Sequence, residues 1–186
     1  DILNVEDWYE KVFEKIPIDL FNLENIYQLK LASKNNLSNK IKRIGDIIFS
    51  IIIIIFTTPI SLLFALLIWL EDKGPIFYRQ KRVGLNGKIF NICKFRSMYV
   101  HAESEGIKWA TKNDPRTTKI GRILRNTRFD EIPQLLTVLR GDMSLIGPRP
   151  ERPEIEKMLK KNIDHYNLKY LAKPGLSGWA QVNYPY

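Results

Sequence analysis

The chain is poor in the residues that build cross-links and metal cages: one cysteine, Cys93, and two histidines, His101 and His165, in 186 residues. A single thiol excludes an intrachain disulfide and fits a reducing compartment. Two histidines far apart in sequence give no zinc-ligand spacing. Acidic residues are also scarce, 20 against 29 Lys and Arg, for a formal net charge of +9. That balance favours anionic partners: nucleic acid, anionic lipid headgroups or phosphorylated small molecules. No internal repeat is present, and no secretory signal peptide is visible, because the apolar run lies too far into the chain and has the wrong flanks. The sequence opens on Asp1 rather than Met and stops at Asn183-Tyr184-Pro185-Tyr186, so it is expected to be a piece of a longer protein.

Charge is missing altogether from Ile47 to Leu70. A spanning helix needs roughly 20 mostly apolar residues, and this run is long enough. Isoleucine fills every position from Ile51 to Ile55, and no polar face remains, which argues against a helix buried in a soluble core. Pro59 interrupts the run after Thr57 and Thr58. Proline removes a backbone donor and clashes with the preceding turn, and threonine hydroxyls can satisfy carbonyls freed by a break. Positive charge marks the cytoplasmic side. Here it stands on both flanks: Lys40, Lys42 and Arg43 before the run, Lys73, Arg79, Lys81 and Arg82 after it. The expectation is a helix–break–helix at Pro59 that enters and leaves the same leaflet.

Before that run, Trp8, Tyr9, Val12, Phe13 and Ile16 repeat at helical spacing, Pro17 interrupts, and a second pattern follows over Leu20–Leu31. Polar Ser33–Lys40 reads as a linker. After Gly74-Pro75 two extended runs, opening at Ile76 and covering Ile89–Phe95, flank Asn86-Gly87, a hairpin turn signal. Glu103–Pro115 reads as a loop. Thr118 is placed to cap a helix striped by Ile120, Ile123 and Leu124.

The chemistry is expected around Asp130-Glu131. Ile132, Leu135, Leu136 and Leu139 form one helical face, Pro133 suits a first turn, and Gly141 reads as the stop. The acidic pair then sits at a helix N-terminus, where the dipole favours ionised carboxylates. On their own, two acids there read first as a helix cap. Basic groups surround them in sequence: Lys94 and Arg96 on one strand face, Arg122 and Arg125 on the preceding helix, Arg149 fixed between Pro148 and Pro150, and Lys173 before Pro174-Gly175. A rigidly held guanidinium suits phosphate, and phosphoryl transfer needs cations around an oxygen nucleophile.

These pieces together resemble the bacterial sugar transferases, the monotopic polyprenyl-phosphate glycosyl-1-phosphate transferases. The resemblance rests on Lys94-Phe95-Arg96-Ser97-Met98, Asp130-Glu131 with Pro133-Gln134-Leu135, Arg140-Gly141-Asp142-Met143-Ser144, Gly147-Pro148-Arg149-Pro150 and Pro174-Gly175-Leu176-Ser177-Gly178-Trp179-Ala180-Gln181-Val182. It implies that Asp130 is the nucleophile on the β-phosphate of a UDP-sugar and a ligand of Mg²⁺, and that Glu131 assists, including with the acceptor's proton. It further implies that Lys94, Arg96, Arg125, Arg149 and Lys173 bind substrate phosphate, that polyprenyl phosphate accepts the sugar phosphate, and that UMP leaves. A re-entrant helix broken at Pro59, an inner-membrane location with the catalytic part on the cytoplasmic face, and a first step of exopolysaccharide or O-antigen type assembly with UDP-glucose or UDP-galactose follow from the same likeness.

The expected fold class is α+β, mainly helical with a β-hairpin and an N-terminal re-entrant membrane element. Residues 1–38 are the tail of an N-terminal extension plus linker, 39–73 the membrane element, and 74–186 a catalytic domain incomplete at its C-terminus. The family carries arginine where this chain has Lys173, which weakens a bidentate contact. Two other readings use the same residues: a different membrane-bound phosphotransferase, and a basic membrane-anchored adaptor for anionic lipid. Nucleic-acid binding would call for aromatics interleaved with the basic groups. Tyr78, Phe90 and Phe95 have that placement, but hairpin cores use the same residues, and no nucleic-acid partner is expected.

Overall fold

The computed structural model describes residues 37–104, 106, 111 and 114–183. The helical readings over residues 1–32 lie outside these residues, as does much of the Glu103–Pro115 loop. Helix α1, Leu37–Asp72, dominates the amino-terminal side. It already includes Leu37–Lys40, the second half of the segment read above as a linker. It is the one helix among the described residues long and apolar enough to cross a membrane, and only 6% of its most apolar window is buried. A core helix of a soluble domain would bury far more of that surface.

The helix runs through Pro59 as one element, so the expected break is not seen. Proline at this position leaves the carbonyl of Ile55 without its helical donor. The neighbouring hydroxyls act one step earlier: Thr57 donates to the Ile53 carbonyl at 2.7 Å and Thr58 to that of Ile54 at 2.6 Å. They reinforce the turn below the gap rather than fill it.

Strands β1, Phe77–Val83, and β2, Ile89–Phe95, form the expected antiparallel hairpin. At its tip Asn86 and Gly87 both take positive φ, which explains why this pair occupies the turn. The register sets Tyr78 against Lys94, Gln80 against Ile92 and Arg82 against Phe90. Directly opposed residues share a face, so Lys94 and Arg82 lie on the same side of the ribbon.

Helix α2, Lys119–Thr127, starts at Thr118, whose hydroxyl accepts from the Gly121 amide at 2.9 Å as expected. A 3-10 turn, Phe129–Gln134, follows, then helix α3, Leu135–Arg140, which ends at Gly141 in the left-handed region. The acidic pair therefore sits in a 3-10 turn containing Pro133, not in the first turn of a long α-helix.

Two short strands had no signal of their own in the sequence. Strand β3, Ser144–Ile146, pairs in parallel with β4, Gly175–Ser177. Between them lie helix α4, Pro153–Asn162, and a 3-10 turn, Tyr166–Leu171. Helix α5, Trp179–Asn183, closes the described chain. The β3–β4 contact demands glycine. A Cβ on Gly147 would stand 2.2 Å from the Lys173 carbonyl oxygen, and one on Gly175 would stand 2.0 Å from the Gly147 nitrogen.

Two small cores result. Ile68 of α1 packs with Phe95 and Leu124, joined by Phe64, Ile76 and Phe129; Ile92, Val138 and Met143 form the second, with Phe90 and Leu145. Phe90 and Phe95 are thus core residues rather than stacking platforms.

Candidate active site

The 3-10 turn carrying Asp130 and Glu131 packs directly on β2, which brings Lys94 to Glu131. The Lys94 Nζ stands 2.7 Å from Glu131 Oε1, and the Arg149 guanidinium stands 3.5 Å from the same oxygen. Both partners are largely buried, so the charges are screened less than on an open surface. Burial alone would raise the Glu131 carboxyl, but Lys94, Arg149 and Arg128 outweigh it and hold it below its ordinary value. Burial also lowers the Lys94 ammonium, with Glu131 and Asp130 opposing.

Asp130 differs. It is 8% exposed, and among the described residues no ion pair or hydrogen bond engages its carboxylate. Burial raises its carboxyl, and Lys94, Arg125 and Arg128 only partly offset this. A helix N-terminus would lower it instead. Here the turn is only six residues long and the residue is buried, and desolvation of a carboxylate outweighs a weak end dipole.

The cleft beside the pair is lined by Arg82, Ile92, Lys94, Glu131, Gln134, Arg149, Pro150, Gly175 and Leu176. Glu131 reaches it, and Asp130 is not among the lining residues. Of the basic residues expected to bind phosphate, Lys94 and Arg149 meet there. Arg125 lies near enough to act on Asp130, with its guanidinium on the Thr117 hydroxyl at 3.0 Å. Arg96 goes elsewhere. It lies one residue past the end of β2 and makes a two-pronged contact with Asp72 at the end of α1, one prong at 2.7 Å. Lys173 is exposed and sits beside Gly141 near Arg43, so its turn gives the cleft Gly175 and Leu176 rather than an ammonium group.

Two residues to which the sequence reading gave no role in the site also line it. Arg82 lines the cleft and donates to the Pro150 carbonyl at 3.0 Å. Gln134 lines the cleft and is buried. The signal for Arg82 was available: strand alternation and the hairpin register put it on the Lys94 face.

A buried carboxylate lies beside a second one that lysine and arginine neutralise at a basic cleft, a combination suited to phosphate chemistry, and the same body carries an apolar helix. Comparison with known proteins gives that site its family. The chain matches the bacterial sugar transferase family model over residues 37–186, and it belongs to that family. It is 40% identical over 158 residues to the UDP-glucose:undecaprenyl-phosphate glucose-1-phosphate transferase of Escherichia coli (strain K12), covering 85% of this chain and 33% of that protein. It is 46% identical over 143 residues to a Bacillus subtilis (strain 168) protein provisionally named an undecaprenyl-phosphate N-acetylgalactosaminyl 1-phosphate transferase, covering 77% of this chain and 80% of the relative. It is 44% identical over 146 residues to the UDP-N-acetylgalactosamine-undecaprenyl-phosphate N-acetylgalactosaminephosphotransferase of Aeromonas hydrophila, covering 78% and 34%. The chain thus spans about a third of two of these relatives and most of the third.

Proposed function

We propose that this chain carries the reacting part of an enzyme that moves a sugar 1-phosphate from a UDP-sugar to polyprenyl phosphate and releases UMP. The observation behind this reading is the division between neighbouring carboxylates. Glu131 is held by Lys94 and Arg149, while Asp130 is buried and, among the described residues, makes no direct ion pair. A partly desolvated carboxylate that is not locked in a direct ion pair is the better nucleophile of the two.

In the first step an Asp130 carboxylate oxygen attacks the β-phosphorus of the UDP-sugar. The new P–O bond forms as the bond from that phosphorus to the bridging oxygen breaks, and UMP departs with the electron pair. In the second step a phosphate oxygen of polyprenyl phosphate attacks the same phosphorus, and the bond to Asp130 breaks, returning the carboxylate. Lys94 and Arg149 are placed to spread the charge of the transferring group. A phosphate monoester has its second pKa near about 6, so the acceptor is largely dianionic at neutral pH and can attack without surrendering a proton. Glu131, ion-paired and acidified, is better suited to organise the two cations than to act as a base.

The donor set is compatible with Mg²⁺. Among the described residues no cluster of three or more acidic, histidine or cysteine side chains could hold a metal alone. Mg²⁺ is commonly held by one or two carboxylates completed by substrate phosphates and water. Asp130 would supply the protein oxygen, and the ion when bound would neutralise charge on the diphosphate.

The membrane element is proposed to enter and leave one leaflet, bending at Pro59. Support comes from what its ends touch. Near one end Asp46 accepts from the Ser144 hydroxyl at 2.8 Å, and Arg43 donates to the Val138 carbonyl at 2.6 Å. Near the other, Glu71 accepts from the Lys119 amide at 2.8 Å and Asp72 holds Arg96. One charged body grips both ends of the apolar run, and a spanning helix would require that body to lie within the bilayer. Cysteine labelling that found Lys40 and Lys73 on opposite faces would exclude the arrangement. The site then lies at the cytoplasmic face of the inner membrane, at the start of exopolysaccharide or O-antigen type assembly. The relatives' names point to a hexose or N-acetylhexosamine donor.

The test is UMP release by the full-length protein with polyprenyl phosphate, Mg²⁺ and a panel of UDP-sugars. Turnover should need both substrates. Release of UDP, or hydrolysis independent of lipid phosphate, would contradict the proposal.

A further inference from the structure

Arg82 has no role in the scheme above, yet it is a largely buried cation on the same cleft as Lys94, Glu131 and Arg149. Its contacts point in one direction. One terminal nitrogen donates to the Pro150 carbonyl at 3.0 Å and pairs with Glu151 at 3.3 Å. The other donates to the Gln80 side-chain oxygen at 2.6 Å. The next residue in the strand, Val83, donates its amide to the Glu151 carbonyl at 3.0 Å. Strand β1 therefore grips two consecutive carbonyls immediately after Arg149.

On the other side, backbone hydrogen bonds fix the turn. The Gly147 amide donates to the Ser177 carbonyl at 2.9 Å and the Gly175 amide to that of Pro148 at 3.0 Å. Pro148 and Pro150 fix φ around Arg149. The segment is thus clamped before and after one arginine, and Arg82 holds the cleft side of the clamp with three separate acceptors. Nε is buried without a hydrogen-bond partner, and both terminal nitrogens of Arg82 are engaged by the protein.

We propose that Arg82 is a positioning residue, which acts on the substrate only through Arg149 by fixing the Pro148-Arg149-Pro150 turn at its last carbonyl. This rests on the reading of the cleft as a phosphate site. The planar guanidinium engages the three acceptors from two separate nitrogens, a fork that a lysine ammonium does not reproduce.

The experiment is a double-mutant cycle on the full-length protein in lipid nanodiscs, using Arg82→Gln, Arg149→Gln and the pair. Two readouts are taken: kcat/KM for UMP release, and the affinity for inorganic pyrophosphate by displacement of a fluorescent nucleotide. Arg82→Gln should weaken both about tenfold in the parent and less than twofold in the Arg149→Gln background. Gln80→Met, which removes one Arg82 acceptor and leaves the cleft untouched, should show the same dependence on Arg149 at about threefold; it decides the matter if Arg82→Gln does not fold. Losses that multiply in the double variant, or a parent unaffected by both substitutions, would overturn the inference. Coupling in pyrophosphate affinity from a protein that releases no UMP would support Arg82 as positioned here and would count against the transfer reaction instead.

Discussion

The ammonium of Lys94 stands 2.7 Å from the Glu131 carboxylate, and Asp130, the residue just before Glu131, has no such partner among the described residues. A cation shared with Arg149 fixes one acid and leaves its neighbour available, which is the asymmetry a two-carboxylate site needs.

Replacing Lys94 by methionine should remove that asymmetry. Glu131 would keep Arg149 alone in a buried setting, and breaking a buried pair typically costs roughly 3 kcal/mol. Thermal unfolding should show that loss, and UMP release should fall further than the remaining folded fraction explains.

Asp130→Asn should abolish turnover, by roughly a thousandfold or more, and should also stabilise the protein. Its carboxyl is raised by burial, so the folded state binds that proton more tightly than the unfolded one, and stability falls as pH rises through the interval between the two values. At neutral pH the ionised Asp130 is a cost that asparagine removes. The variant's melting temperature should exceed the parent's at pH 7 and match it at pH values below the ordinary aspartate range. In the parent, the acid limb of kcat/KM should lie above the ordinary aspartate pKa of about 3.9.

Arg96→Ala should act on stability rather than on substrate affinity. The Asp72 carboxyl is held below its ordinary value chiefly by hydrogen bonding to Arg96. That contribution is complete above the ordinary aspartate pKa and is lost as pH falls through the lowered value. The variant should unfold more easily at neutral pH and lose this acid sensitivity, with KM for the UDP-sugar within about twofold of the parent in the folded fraction.

Gly147→Ala should prevent stable folding of the β3–β4 pair. The added carbon would meet backbone, not a flexible side chain, and relief requires separating two strands; overpacking of this kind costs about 3 kcal/mol or more. Limited proteolysis should show early cleavage between α4 and β4.

Much of this was legible in the chain. The apolar run, the hairpin, the Thr118 cap and the Gly141 stop all rest on local rules, and all are present. The β3–β4 pair was not legible: three-residue strands brought together from Ser144 and Gly175 are set by glycine contact, which has no periodicity. The basic residues divided for a similar reason. Lys94 and Arg149 meet Glu131 because the turn packs on β2, whereas Arg96, one residue past the strand, belongs to Asp72. Sequence spacing could place Arg96 on the Lys94 face only if the strand had continued. The direction of the Asp130 shift likewise depended on burial, which the helix-end argument could not supply.

The central claim is that Asp130 becomes covalently bonded to a sugar phosphate. Intact-mass spectrometry of the full-length protein, incubated with UDP-sugar and Mg²⁺ but no polyprenyl phosphate, tests it directly. The account predicts an adduct with the mass of one sugar phosphate, mapped to Asp130, formed with one UMP per site, discharged when lipid phosphate is added and absent in Asp130→Asn. An adduct on another residue, or full turnover with no adduct detectable at any time, would contradict it.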